Sequence, residues 1–153
     1  MVSAFESDPV IVEVVRNGFL ESAHRGRVAI TNPDGSLASS VGAEFAPMYP
    51  RSANKPLQAV GMLRAGLDLD EELLALVCAS HSGERFQLDG VRRILAMSEL
   101  DESALQMPAD WPLDAQAREE AIRNGEAKSP LAMNCSGKHA GMIRTTVLNG
   151  GDI

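Results

Sequence analysis

The chain has 153 residues, 44% of them apolar and 23% charged, with a formal net charge of −7 and a pI near 4.9. These are globular values for about one average domain, so a disordered tail is excluded, and the acidic balance makes nucleic acid an unsuitable partner. The longest clean apolar run, Leu73 to Ala79, is too short to span a bilayer. Glu6 and Asp8 stand where a secretory leader would carry basic residues, and no apolar core follows them, so no signal peptide and no membrane partner are expected. Cys78 and Cys135 make no disulfide framework, and the chain reads as soluble and cytoplasmic.

The first forty-five residues read as strands. Val10 to Val15 is β-branched and runs into Asn17-Gly18, a pair that accepts the positive φ angles of a two-residue hairpin turn. A second turn, Asn32-Pro33-Asp34-Gly35, separates Val28-Ala29-Ile30 from Leu37 to Val41, and together these segments predict an antiparallel meander. After Pro50 the period changes. Ala53, Leu57, Val60, Leu63 and Leu67 fall on one helical face, with Ser52 placed to cap it, Pro56 in its first turn and Gly66 as its stop. Asp68 or Asp70 starts a short apolar helix toward Val77. Leu88, Val91, Ile94 and Leu95 mark the next helix, with a polar start around Ser82-Gly83-Glu84. A proline-bearing stretch, Met107 to Pro112, leads to a charged helix from Asp114 to Asn124. The last helix runs from about Gly137 to Leu148 and is stopped by Gly150-Gly151. Strands followed by helices predict an α+β fold. A three-strand meander would leave an open edge, and the chain stops two residues after a glycine pair, so it is expected to belong to a longer protein.

Three clusters are equipped for chemistry. Ser52-Ala53-Asn54-Lys55 is a Ser-x-x-Lys at a loop-to-helix junction, where spacing of three puts both side chains on one face. A serine hydroxyl needs a base before it attacks, and a desolvated lysine amine can serve. The plainer alternative is a capping Ser52 and a solvated Lys55. Ser80-His81-Ser82-Gly83-Glu84 crowds hydroxyls, an imidazole and a carboxylate into one turn, so that Ser80 or Ser82 could join a relay near Ser52; a helix cap with a locally bonded His81 is the alternative. Asn134-Cys135-Ser136-Gly137-Lys138-His139 puts Cys135 at a helix N-terminus with Lys138 one turn along, a setting that favours thiolate. Cys135 is then a nucleophile, a metal ligand, a redox-sensitive thiol or a packed core residue. Only three lysines exist in the chain, and two of them lie in these clusters. Arg51 is placed to clamp a carboxylate, surface arginine being the commoner role; Cys78 reads as a core residue, and His24 has no assignable partner.

Taken together, these blocks resemble one family, the rhizobial-type L-asparaginases, or asparaginase II family. The matching residues are Glu21 to Gly26, then Pro50 to Ala59 with Arg51-Ser52-Ala53-Asn54-Lys55, then Cys78 to Glu84, then Asn134 to Met142. Four blocks in family order cover essentially the whole chain. The resemblance implies a fold like that of serine β-lactamases and glutaminases, in which a Ser-x-x-Lys starts a central helix beside an antiparallel sheet. It implies hydrolysis of L-asparagine to L-aspartate and ammonia. Ser52 matches the family's proposed nucleophile and Lys55 its base, with backbone N–H groups at that helix start to hold the oxyanion. Ser80 matches a second active-site serine that pairs with a lysine further along. Cys135 and Lys138 match two ligands of a zinc ion, completed in the family by a cysteine in a downstream Asp-Gly-Cys segment.

The sequence departs from that pattern in length. Family members are roughly twice as long, and this chain reaches neither the Asp-Gly-Cys segment nor the second lysine. The reading is therefore residues 1–153 as the N-terminal part of an asparaginase II catalytic domain, apparently truncated. A second chain that carries those parts would supply what is missing, and so would a longer protein of which this is a fragment; a homodimer is a separate expectation. Two alternatives stay open: a glutaminase-like or β-lactamase-like serine acylase, and a catalytically silent domain that binds a partner or metal.

Overall fold

The structure is a computed structural model that describes residues 8–153. The expectation about a leader rests on residues 1–7 and falls outside the described residues. The chain divides into two compact units, one up to Tyr49 and one from Pro50 onward.

The first unit is two hairpins. Strand β1 (Val10–Arg16) pairs antiparallel with β2 (Phe19–Arg25), and β3 (Val28–Thr31) pairs antiparallel with β4 (Leu37–Val41). Asn17 and Gly18 both take positive φ, 51° and 78°, which matches the right-handed strand twist and sets Arg16 opposite Phe19. In the second hairpin the Gly35 N–H bonds the Asn32 carbonyl, closing the predicted turn. The expected meander is not formed: the strands make two separate two-stranded sheets, with no ladder between β2 and β3. Only Gly26 and Arg27 join those strands, and the Gly26 N–H turns back to the Pro9 carbonyl instead of starting a third row. Asp8 is buried beneath this crossing, with its carboxylate on Arg27 Nε at 2.7 Å.

The second unit is helical. A 3₁₀ turn (Arg51–Asn54) leads directly into α1 (Lys55–Arg64); α2 (Glu71–Cys78), α3 (Arg85–Ala96), α4 (Ala115–Arg123) and α5 (Ser136–Leu148) follow. Three of the starts are capped as their sequences require. Asp70 accepts from the Leu73 N–H and Asp114 from the Ala117 N–H, while Glu84 and Gln87 form a reciprocal capping box on α3. The core is Leu73 and Val77 of α2, Val91, Ile94 and Leu95 of α3, Ala140 of α5, and Ala59 and Met62 of α1.

The sequence reading of α1 is corrected in two respects. Ser52 does not cap the helix; it lies within the preceding turn, and Asn54 holds the cap position without a side-chain bond. The inward face is also the opposite one: Lys55, Ala59 and Met62 are buried, whereas Leu57, Val60 and Leu63 are exposed. The helix carries Lys55, Gln58 and Arg64 among its apolar residues and shows no single apolar stripe, so periodicity could not choose a side. Close packing on α2 and α5 chose it, because small Ala59 lets the backbones approach. The choice carries Lys55 inside.

Candidate active site

Helix α2 ends at Cys78, and Ala79 continues in extended conformation, so Ser80 and His81 emerge from the core beside the start of α1. Helix α5 starts close by because two of its residues have no side chain. A Cβ on Gly137 would lie 2.7 Å from the Leu76 carbonyl oxygen of α2, and one on Gly141 would lie 2.8 Å from a Val77 methyl. Glycine four residues apart thus seats α5 against α2 at backbone contact and draws Cys135, Ser136 and Lys138 to the same end of the bundle.

Lys55 is at the centre. It is 2% exposed, and its Nζ donates to the Ser80 Oγ at 2.8 Å and to the Ala79 carbonyl at 3.1 Å. No carboxylate pairs with it among the described residues; both partners are neutral oxygens. Burying an ammonium without a counter-ion is costly, which makes Lys55 a candidate for chemistry.

The second pair is His81 and Ser136. Both are buried, with His81 Nε2 2.7 Å from Ser136 Oγ. The His81 N–H also bonds the Asn134 carbonyl at 3.0 Å, so this turn and the head of α5 are joined twice. Burial, with Lys55 nearby, pulls the His81 imidazole below its ordinary value. Burial does the same to half-buried His139, helped by Lys138 and then Lys55. The cations Lys55 and Lys138 therefore share one neighbourhood in a chain that is acidic overall.

The His81 shift has a consequence for stability. Its folded value lies below the unfolded value near 6.5, so as pH falls the unfolded chain binds the proton first. Stability is therefore full above about pH 6.5 and declines below it. Urea midpoints measured at pH 7.5 and 5.5 are expected to fall with acid, and His81→Gln is expected to reduce that difference.

The remaining residues singled out in the sequence fall as follows. Ser80 joins Lys55. Ser82 does not; it bonds Glu84 and Gln87 and serves the start of α3. Ser52 is exposed and its hydroxyl makes no hydrogen bond among the described residues. In the same turn the Ala53 N–H bonds Pro50 O and the Lys55 N–H bonds Ser52 O, so two of the amides expected to face an oxyanion are already used. Arg51 is exposed and adopts a left-handed φ of 49°, strained for a residue with a side chain. Cys78 is half-buried against the core, as expected. Cys135 is a half-buried free thiol whose N–H meets the Met133 sulfur, and Lys138 follows it by one turn.

Cys135 and Lys138 supply two donors. Even an open zinc site uses three protein ligands, and the described residues form no group of three or more His, Cys, Asp or Glu able to hold a metal. The donors present do not complete a zinc site, and no step below runs through one. The pair the sequence reading missed is His81–Ser136. Each residue stands beside a residue that was singled out, but the partners are 55 positions apart and no local pattern joins them.

The chain is thus an α+β protein in which a buried lysine meets a serine hydroxyl where α1, α2 and α5 come together. A family model described as L-asparaginase II matches residues 12–153, and the chain belongs to that family. A search of curated proteins returns no match. Membership supports an asparaginase kind of activity, hydrolysis of a small-molecule amide. No helix among the described residues is long and apolar enough to cross a membrane.

Proposed function

We propose that this chain carries the serine–lysine chemistry of an amidohydrolase that converts L-asparagine to L-aspartate and ammonia in the cytoplasm. The observation that supports this reading is the 2.8 Å contact between buried Lys55 Nζ and Ser80 Oγ, within a family of asparaginases. The structure records that bond with the amine donating; general-base work runs along the same line in the other direction, from hydroxyl to neutral amine.

In the proposed course Ser80 Oγ attacks the side-chain amide carbon of asparagine as Lys55 takes the hydroxyl proton. The C–N bond then breaks, and Lys55 returns that proton to the leaving nitrogen, which departs as ammonia. Water, deprotonated by Lys55, hydrolyses the aspartyl ester and regenerates Ser80. Exposed Arg51 offers positive charge for the substrate carboxylate.

A second reading makes Ser52 the nucleophile. Its support is the strained backbone of Arg51 beside it, since such strain collects at reactive positions. Ser52→Ala and Ser80→Ala, assayed side by side, separate the two readings: the nucleophile's variant is the inactive one.

Ammonia release from L-asparagine by the 153-residue chain, with and without zinc, tests the proposal. Turnover of asparagine well above glutamine is the expected result, and no turnover by folded protein overturns it. A rise with zinc that Cys135→Ser abolishes supports the proposed metal role of Cys135 and Lys138, whereas a zinc-independent rate removes it. A serine β-lactamase-like fold and a homodimer belong to the same proposal; sedimentation measures the second.

A further inference from the structure

We propose that His81 is a positioning residue, bridging the Ser80 turn to Ser136 at the head of α5 so that the Ser80 hydroxyl is held against the Lys55 amine. The inference rests on the reading of Lys55 and Ser80 as the reactive pair.

Four observations carry it. The Ser80 turn, from Ala79 to Glu84, contains no helix or strand, so no regular ladder fixes it. Its two bonds to the head of α5 both come from His81, the main-chain N–H on the Asn134 carbonyl and Nε2 on Ser136 Oγ at 2.7 Å, whereas Ser82 and Gly83 are tied on the other side to Asp114 and Gln87. The far end of the bridge is firm, because Ser136 is fully buried, opens α5, and has its own N–H on the Met133 carbonyl. Finally, His81 Nδ1 is sealed from solvent without a hydrogen-bond partner. A buried polar atom left unpaired is unfavourable, and an apolar side chain of similar volume would avoid it. The imidazole is therefore justified by its Ser136 bond and not by packing.

Proton accounting supports the same view. If the Ser136 hydroxyl donates to Nε2, only Nδ1–H is left unpaired. If Nε2–H donates instead, both the Ser136 hydroxyl proton and the Nδ1 lone pair are unpaired. The first arrangement leaves fewer groups unmet. In either case Nε2 is engaged by Ser136 and Nδ1 is sealed from solvent with no hydrogen-bond partner among the described residues, so His81 acts through Ser80 and is no catalytic base.

The test compares His81→Ala, which deletes the bridge, with His81→Gln, whose amide reaches Ser136 without an aromatic ring. Two readouts are taken on variants shown by circular dichroism to be folded. The first is kcat and KM for ammonia release from L-asparagine. The second needs no activity: it is the acetylation rate of Lys55 by acetic anhydride, followed by mass spectrometry against half-exposed Lys128. His81→Ala is expected to lower kcat by about 10–100-fold with little change in KM, as loss of a residue that orients a reactive group does. It is also expected to raise Lys55 acetylation by roughly tenfold, while His81→Gln returns both readouts close to wild type. An Ala variant that keeps kcat and Lys55 protection overturns the proposal. So does a Gln variant as inactive as Ala with Lys55 still shielded, since the ring itself would then be needed.

If wild type releases no ammonia, the functional reading fails, and acetylation alone decides whether His81 holds the pair. Should His81→Ala not fold, Ser136→Ala removes the same bond from its other end and is judged by the same outcomes.

Discussion

Replacing Lys55 with methionine is expected to lower ammonia release from L-asparagine by about 10²–10⁴-fold, the range that a positioned general base supplies. Methionine keeps much of the buried stem's volume and removes the donor that reaches both Ser80 Oγ and the Ala79 carbonyl. The loss should appear in kcat, because the amine is asked to move a proton and not to bind substrate. Ser80→Ala is expected to match it, since the two act as one unit and their losses should not add. Stopped assays at saturating asparagine decide the matter. A Lys55→Met enzyme with near wild-type kcat would remove lysine from the mechanism altogether. Melting curves keep the test clean. Methionine also relieves the cost of a buried amine without a carboxylate, so the variant should be no less stable than wild type.

The second large effect concerns packing. Gly137→Ala is expected to destabilise the helical unit by about 1–3 kcal/mol, because its new Cβ would stand 2.7 Å from a backbone oxygen of α2. A flexible side chain could swing aside, but the Leu76 carbonyl belongs to a helix and cannot. Relief requires α5 to move bodily away from α2, carrying Ser136 from His81. Gly137→Ala should therefore lower the urea midpoint and also unshield Lys55 at temperatures where the protein is still folded. Gly18→Ala serves as the contrast. Its penalty comes from a φ of 78° with no neighbour within 4 Å, so it should weaken the first hairpin and leave the Lys55 site untouched. A Gly137→Ala midpoint equal to wild type would mean that α5 does not depend on this contact.

Much of the molecule was legible in the sequence because the signals were local. Asn17-Gly18, Asp70 and Asp114 each act within a few residues through turn geometry or a freed N–H, so hairpin and helix starts could be read from spacing alone. The family resemblance was equally legible, since it lies in four short blocks, and Lys55, Ser80 and Cys135 were named from them. The meander and the face of α1 were misread where a local pattern had two solutions. Strands can continue a sheet or turn away, and a helix without a single apolar stripe offers no preferred side.

What the sequence by itself determined is the succession of strands and helices, most of their caps and turns, and the candidates for chemistry. What only the tertiary structure decided is which of those residues meet. Lys55 finds Ser80 at 25 positions' distance and not Ser52 at three, and His81 finds Ser136 at 55. The physical reason is that Lys55, the first residue of α1, turns its side chain inward onto Ala79 and Ser80 beyond the end of α2, while Ser52 stays exposed. Close packing of α1, α2 and α5 at Ala59, Gly137 and Gly141 then fixes where its amine points.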